Sequence, residues 1–335
     1  MTKAKDKIET DCKLLTSYML DGLRKGKKLV RIPNKRELFS GKLKESAVLM
    51  LSDIHAGKVN HYLNYEDNEQ VITYNEEKMI EEFNRLTDSL FGINQLLAPS
   101  YNLEKLYIFG LGDWVDNDII FRGQQFFIDY GVGKQFITLL RLLTDFLEEC
   151  LKMYDEVELI TIGGNHGRMT HRKDASPACN NFDYLMGKML ETIFEPEERV
   201  NVIVSESWFY LKEIESWKYL LHHGDTIRSH MGIPYYGLVR QGKSRRIEMN
   251  YDIECIGHFH QKMEIPIGSN AIALVNGAWI ENDDFAWRTM GVLSRPEQWY
   301  FGVSPKRPRT WQFPLDLLHS KNEWKSLNST ENKYY

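Results

Sequence analysis

The chain has 335 residues, of which 42% are hydrophobic, 42 are basic and 47 acidic, for a net charge of −5. That is enough apolar material for one sizeable core, and no apolar run approaches the roughly 18 residues that cross a membrane. Cys12, Cys150, Cys179 and Cys255 form no CxxC pair, which sets aside a disulfide framework and a zinc ribbon, and the charged opening MTKAKDKIETDCKLL has no signal-peptide character, so the expected setting is the cytoplasm with no membrane partner.

Ile8, Cys12, Leu15, Met19 and Leu23 recur at helical spacing, and RIPNKRELFSGKLKE reads as a basic linker. Residues 1–45 are therefore expected to form a basic helical extension. Residues 1–47 hold 13 Lys/Arg against 6 Asp/Glu, and the remainder 29 against 41. Such a basic arm on an acidic body either contacts nucleic acid or is a solvated surface. The helical stripe either packs on its own domain or meets a partner, which leaves a homodimer open. AVLMLS, Ala47 to Ser52, suits a strand buried on both faces. A helix is expected over Asn75 to Leu96, a strand at LEKLYIFG ending in Gly110, and a long amphipathic helix over Gly133 to Tyr154. Val157 to Gly164 is a third strand and Ala178 to Phe194 another helix. Strands follow at Val200–Ser205, Trp208–Lys212, Trp217–His222, Ile253–Gly257 and twice between Met263 and Gly277. Strands alternating with helices, then a strand-rich second half, predict an α/β fold: a two-sheet sandwich flanked by helices over residues 46–315. The polar tail, 316–335, is expected to be disordered.

Each strand is followed by residues that carry chemistry. Asp53 and His55 follow the first, Asp113 and Asp116 the second, Asn165 and His166 the third. His223 follows YLLH, and His258 and His260 follow IECIG. Side chains at the carboxyl ends of strands in an α/β sheet converge on one crevice. A lone histidine, such as His61, His230 or His319, is an ordinary residue, and Gly-Asp after a strand is usually a turn. Five such segments in order are a site. Seven or eight oxygen and imidazole donors exceed one tetrahedral zinc and suit two cations about 3.5–4 Å apart. With no cysteine among them, Mn²⁺ leads, with Fe, Zn²⁺, Co²⁺ or Mg²⁺ also suitable. Of the adjacent pair His222 and His223, strand alternation sends one each way, and His223 precedes Gly224.

The ordered set Asp53-x-His55, Gly112-Asp113-x-x-Asp116, Gly164-Asn165-His166, His223-Gly224 and Gly257-His258-x-His260 resembles the calcineurin-like metallophosphoesterase superfamily, over about residues 46–280. The resemblance implies that Asp53, His55 and His260 hold one metal, that Asn165, His223 and His258 hold the other, and that Asp113 bridges them. It also implies that His166 sits beside the substrate phosphate as a catalytic residue. Asp116 is expected to support an imidazole. Water shared by the two cations is the expected nucleophile. Arg168, His171 and Arg172 either grip phosphate or are ordinary loop residues. Arg240 and Arg245, in RQGKSRR, are further candidates for phosphate contact.

Ser/Thr protein phosphatases are disfavoured. Asn117 stands where their phosphate-gripping arginine would be, and Gly167 replaces the acid of GNHE. SDIHAG, GLGDWVDN, GNHGR and GHFHQ together look similar to SbcD-type DNA-repair nucleases. The expected function is thus a two-metal phosphodiesterase, a nuclease acting on DNA or RNA. The alternative is a phosphatase or phosphodiesterase for small nucleotides or other phosphoesters, and a non-catalytic nucleic-acid-binding module is the minor one. Only 75 residues follow His260, which puts a coiled-coil ATPase partner in doubt. Trp279, Trp287, Trp299 and Trp311 either stack on bases or fill the core.

Overall fold

The first apolar run forms β1 (Leu43–Leu51), whose faces divide the molecule. Ala47, Leu49 and Leu51 point into one buried cluster, Val48 and Met50 into another. The protein is described as a computed structural model over residues 42–64, 69–170, 176–230, 233–283, 287 and 295–317. The extension with its helical stripe, the tail beyond 317, His171 and Arg172 lie outside those residues. Contacts divide the chain into two units, Met1–Lys42 and Leu43–Tyr335, and the fold belongs to the second.

After β1 come β2 (Asn60–Asn64), β3 (Glu69–Tyr74), α1 (Glu76–Leu97), β4 (Tyr101–Gly110), α2 (Val132–Cys150), β5 (Glu156–Thr161), α3 (Phe182–Phe194) and β6 (Val200–Val204). Then follow β7 (Phe209–Ile214), β8 (Trp217–His222), α4 (Tyr235–Met249), β9 (Ile253–Ile256), β10 (Met263–Pro266), β11 (Ile272–Val275), β12 (Glu297–Val303) and β13 (Gln312–Asp316). The first sheet runs β13-β12-β1-β4-β5-β6, with β1, β4, β5 and β6 parallel. The second runs β10-β11-β9-β8-β7. Between the sheets lie Val48, Met50, Phe109, Ile160, Leu221, Cys255 and Phe301. The outer face of the first sheet carries α1, α2 and α3 through Phe83, Leu143, Phe146, Met186 and Leu190. Leu238 of α4 packs into a third cluster with Leu220 and Ile256 of the second sheet and with Tyr251 just before β9. The result is four layers, two sheets between helices.

Several elements differ from the sequence reading. β1 starts at Leu43 rather than Ala47, because residues 43–45 pair with β4 across a bulge before the apolar run begins. The hairpin β2–β3, the strands β12 and β13, and α4 were not expected. α4 lacks a clear apolar stripe, burying only Leu238 and Gly242. Trp279 and Trp299 are buried and Trp311 packs against Tyr300 and Phe313, so these three fill the core, while Trp287 is partly exposed. Among the described residues, no helix is long and apolar enough to cross a membrane.

One core residue breaks the apolar rule. Glu82 of α1 is 1% exposed, and its Oε2 has no hydrogen-bond partner among the described residues. Burial pushes its carboxyl well above the usual range, with nearby Glu281 adding to this and Arg85 opposing it. The folded state therefore holds the proton that the unfolded chain releases, so stability falls as pH rises from the unfolded carboxylate value toward the folded one. Glu82→Gln should remove that dependence. Urea unfolding should find the variant stabilised relative to wild type more at pH 8 than at pH 5.

Candidate metal centre

The candidate ligands follow the carboxyl ends of β1, β4, β5, β8 and β9, where the two sheets approach each other. The approach is tight. A Cβ on Gly164 would lie 2.2 Å from the backbone nitrogen and Oδ1 of Asp113, and one on Gly257 2.5 Å from Asp53 Oδ2. The Gly-Gly that ends ITIGG therefore does more than turn the chain: it lets Asp113 into the crevice. The loops are strained as well. Asp53, His55, Asp113, Asn117, His258 and His260 all hold φ between 52° and 72°. That region is sparsely used by residues with a Cβ, and such strain clusters at functional sites.

Asp53, His55 and His260 bring one ligand atom each to within 4.8 Å of one another. His55 Nδ1 lies 3.0 Å from Asp116 Oδ1, and His260 Nδ1 lies 3.2 Å from Asp283 Oδ2. Each carboxylate accepts that N–H, which leaves both Nε2 lone pairs free. Those two Nε2 atoms face each other at 3.1 Å. Burial, then the neighbouring His166, pushes the His55 imidazole down, favouring its neutral form. Asp53 is fully buried and accepts from the Ser52 hydroxyl at 2.5 Å and the His258 backbone N–H at 2.9 Å.

Asp113, His223 and His258 make a second such group, and His55, Asp113 and His166 a third, so Asp113 stands between the two centres. His223 Nδ1 donates to the Leu111 carbonyl at 2.7 Å. Its Nε2 faces Asp113 Oδ2 at 3.0 Å and Asn165 Oδ1 at 3.1 Å. Burial alone would lower the His223 imidazole, but the Asp113 carboxylate holds it up at about 10. Conversely, burial would raise Asp113, and His223 with His166 keeps it well below the usual carboxylate range. His222 turns the other way, onto buried Glu254 at 2.7 Å.

His166 donates its backbone N–H to Asp113 Oδ1 at 2.6 Å, and its Nδ1 lies 2.8 Å from the Asp116 carbonyl and 3.2 Å from Asp116 Oδ1. Its Nε2 is thereby left for the mouth of the site, where Asn165, His166 and His258 are only half-buried. Burial opposes protonation of His166, but Asp113 and Asp116 raise it to about 9. Arg168 is buried and donates Nε–H to the Asn165 carbonyl at 2.8 Å. Asn117 donates to the carbonyls of His166 and Arg168, both at 2.8 Å, and so fixes the loop. Arg245 is turned away, paired with Glu254 in the cluster that holds His222. Arg240 is exposed on α4.

Four supporting residues escape the sequence reading. Asp183, at the start of α3, accepts from the backbone N–H groups of Gly164 at 2.8 Å, Asp113 at 3.0 Å and Trp114 at 3.2 Å, clamping two loops together. Burial and the Asp113 charge raise its carboxyl to about 6, against the pull of those N–H groups. Asp283 orients His260 and is paired with Lys58 at 2.8 Å. Gln124 donates to the Asp116 carbonyl at 2.6 Å. Gln135 holds the Asn117 backbone N–H at 2.8 Å. No ligand-type spacing marks them, because each acts across a loop rather than along a strand. Asn181 and Asp183, on either side of the first residue of α3, are the one available signal.

The donor set fits cations. Two imidazole nitrogens each about 2.1 Å from one ion at a right angle would be about 3 Å apart, and His55 and His260 match that at 3.1 Å. Around His223 Nε2 two oxygens converge where a positive charge is needed. No family model matches the chain, and no curated protein matches it. Solved structures do. A predicted phosphoesterase from Streptococcus pneumoniae TIGR4 is similar at 10% identity over 81% of this chain and 98% of that one, with a TM-score of 0.33. A dimetal phosphatase from Danio rerio is similar at 10% identity over 81% and 99%, TM-score 0.38. A 5'-nucleotidase from Candida albicans is similar at 11% over 88% and 56%, TM-score 0.37. Likeness this low carries no conclusion about activity.

Asp283 supplies a test of the centre. Asp283→Ala frees the His260 ring and should weaken divalent-metal binding by about 10–100-fold. Isothermal titration with Mn²⁺ or Zn²⁺ measures it, with the far-UV spectrum as the check on folding.

Proposed function

We propose that this protein is a two-metal phosphoester hydrolase of the calcineurin-like type, acting on small phosphoesters. The observation that carries the reading is a chain of three donor groups, each within 4.8 Å, the first two sharing His55 and the last two sharing Asp113. Asp53, His55 and His260 would hold one cation, and Asn165, His223 and His258 the other, with Asp113 shared. Cations bound there would supply positive charge to the phosphoryl oxygens and water of lowered pKa. Mn²⁺ is the first metal to test, ahead of Fe, Zn²⁺, Co²⁺ and Mg²⁺.

The chain's own residues do the rest. Asp116 fixes two imidazoles, His55 at 3.0 Å and His166 at 3.2 Å. A protonated His166, anchored through Nδ1, directs Nε2–H toward the leaving oxygen and donates its proton as the ester bond breaks. Arg168 and Asn117 keep the His166 loop in register rather than reaching for phosphate.

The nuclease is the second reading, supported by exposed Arg240 and Lys243 on α4. It is weakened by the rest of RQGKSRR. Arg245 is committed to Glu254, and Arg246 Nε to the Tyr251 carbonyl at 3.1 Å.

Hydrolysis should require divalent metal and disappear in Asp113→Ala. Assays of a phosphomonoester, a phosphodiester, nucleotides and an oligonucleotide side by side decide between the readings. Steeply salt-sensitive oligonucleotide cleavage with the small esters intact would reverse their order. His166→Ala should cost about 10²–10⁴-fold in kcat on alkyl esters. It should cost far less on a nitrophenyl ester, whose leaving group needs no proton.

A further inference from the structure

Between β4 and α2 the chain passes beside His166 as FRGQQFFI, Phe121 to Ile128, with a 3-10 turn at Gln124–Phe127. The segment is fastened at both ends. Buried Gln124 donates to the Asp116 carbonyl at 2.6 Å and lies 3.4 Å from His166 Nδ1. On the other side the Phe127 carbonyl accepts from Val59 N–H at 2.8 Å, and Asp129 N–H donates to the Gly57 carbonyl at 2.8 Å. Both anchors lie in the loop that follows His55. The segment thus bridges the His166 side of the centre and the His55 side. Yet its rings are not buried. Phe121 meets the His166 ring edge-on at 6.1 Å between centroids, while Phe126 is 80% and Phe127 45% exposed.

A single exposed apolar side chain is ordinary. Three phenylalanines lie in one seven-residue segment, and the first of them meets the ring nearest the reacting group. A polar centre offers phosphate charge and hydrogen bonds; these rings offer only flat apolar surface. The ligand suited to both carries a phosphate and a planar ring. We infer that Phe121, Phe126 and Phe127 form a stacking wall for a nucleobase whose phosphoester lies at the metal centre. The inference rests on the hydrolase reading and narrows it to nucleotide substrates. Base-on-aromatic stacking tolerates any base, so the wall selects a ring rather than a sequence.

The test uses the full-length Mn²⁺-loaded protein. Non-hydrolysable phosphonate analogues of adenosine 5'-monophosphate and ribose 5-phosphate, which differ by the base, are titrated calorimetrically into wild type and Phe126→Ala. Phe126 is so exposed that its truncation leaves the fold intact. The adenosine analogue should bind wild type about ten-fold tighter than the ribose analogue, and Phe126→Ala should remove that advantage while leaving ribose binding unchanged. Equal binding of the two analogues to wild type, or equal losses in the variant, would overturn the wall. A phosphorothioate oligonucleotide identifies the source of the base. A loss for the oligonucleotide beside that for the adenosine analogue extends the wall to bases in a strand, a loss for the adenosine analogue alone confines it to a free nucleotide, and a loss for the oligonucleotide alone overturns the inference. Hydrolysis of the parent esters is measured separately. A base advantage without turnover removes the hydrolase and keeps the wall, and equal turnover of both esters does the reverse.

Discussion

Buried negative charge is the constraint on which this structure depends. Asp53, Asp113, Asp116, Asp183 and Asp283 are each at most 1% exposed and crowd the ends of two sheets. Carboxylates that have lost water need hydrogen bonds, cations or protons in return, and the desolvation cost of each is several kcal/mol. The fold answers them one by one. Asp183 takes three backbone N–H groups, Asp283 takes Lys58 and His260, and Asp116 takes His55 and His166. Asp53 takes the Ser52 hydroxyl and the His258 N–H, and Asp113 the His166 N–H and the His223 imidazole, and both carboxylates still face the crevice where the imidazoles converge. Imidazoles and carboxylates converging on shared points are an arrangement that divalent cations would suit.

The strained backbone follows from the same constraint. A strand that stops at the rim would leave its next side chains alternating outward. Asp53 and His55 stand two residues apart just past the end of β1, and the chain bends at both. It does so with φ of 55° and 52°. Asp and His enter the left-handed region more easily than branched residues, but the conformation still costs on the order of 1 kcal/mol or more at each position. The hydrogen bonds from Asp53 N–H to the Gly112 carbonyl and from His55 N–H to the Asp113 carbonyl, both 3.0 Å, hold the bend against the β4 loop. One strained loop is thus braced by the next.

This explains what can be read from the sequence. An apolar run followed at once by Asp, Asn or His is a local signal, and the core strands and the candidate ligands both show it. The supporting residues give none. Asp183 lies 70 residues from the Asp113 N–H it accepts, and Asp283 23 residues from His260. Their pairing exists only once the sheets are packed. Strands β12 and β13 are hidden by Gln298 and Pro314, since Gln298 is buried to hold Ser52 N–H at 3.0 Å and the Gly277 carbonyl at 2.7 Å. A polar residue in a strand core reads as a break until its partners are known. α4 is hidden for the opposite reason: its polar face is the larger, and only a narrow contact holds it to the second sheet.

RQGKSRR shows how a run of charges in sequence divides once it is folded. In sequence it is one basic patch between His223 and His258. On α4 the same residues separate by direction. Arg245 reaches inward to Glu254, which also receives the Tyr251 hydroxyl at 2.5 Å and His222 at 2.7 Å. Removing Arg245 would leave a buried carboxylate short of a partner, so the residue is kept for the fold whatever the substrate is. Within this stretch the exposed basic residues are Arg240 and Lys243. Two such charges add little to the binding of a long polyanion, where affinity grows with each phosphate neutralised. A small ester needs no such track. On the proposed reading its single phosphate would be met at the centre itself, and what distinguishes one ester from another would then come from the loops around the mouth rather than from the helix.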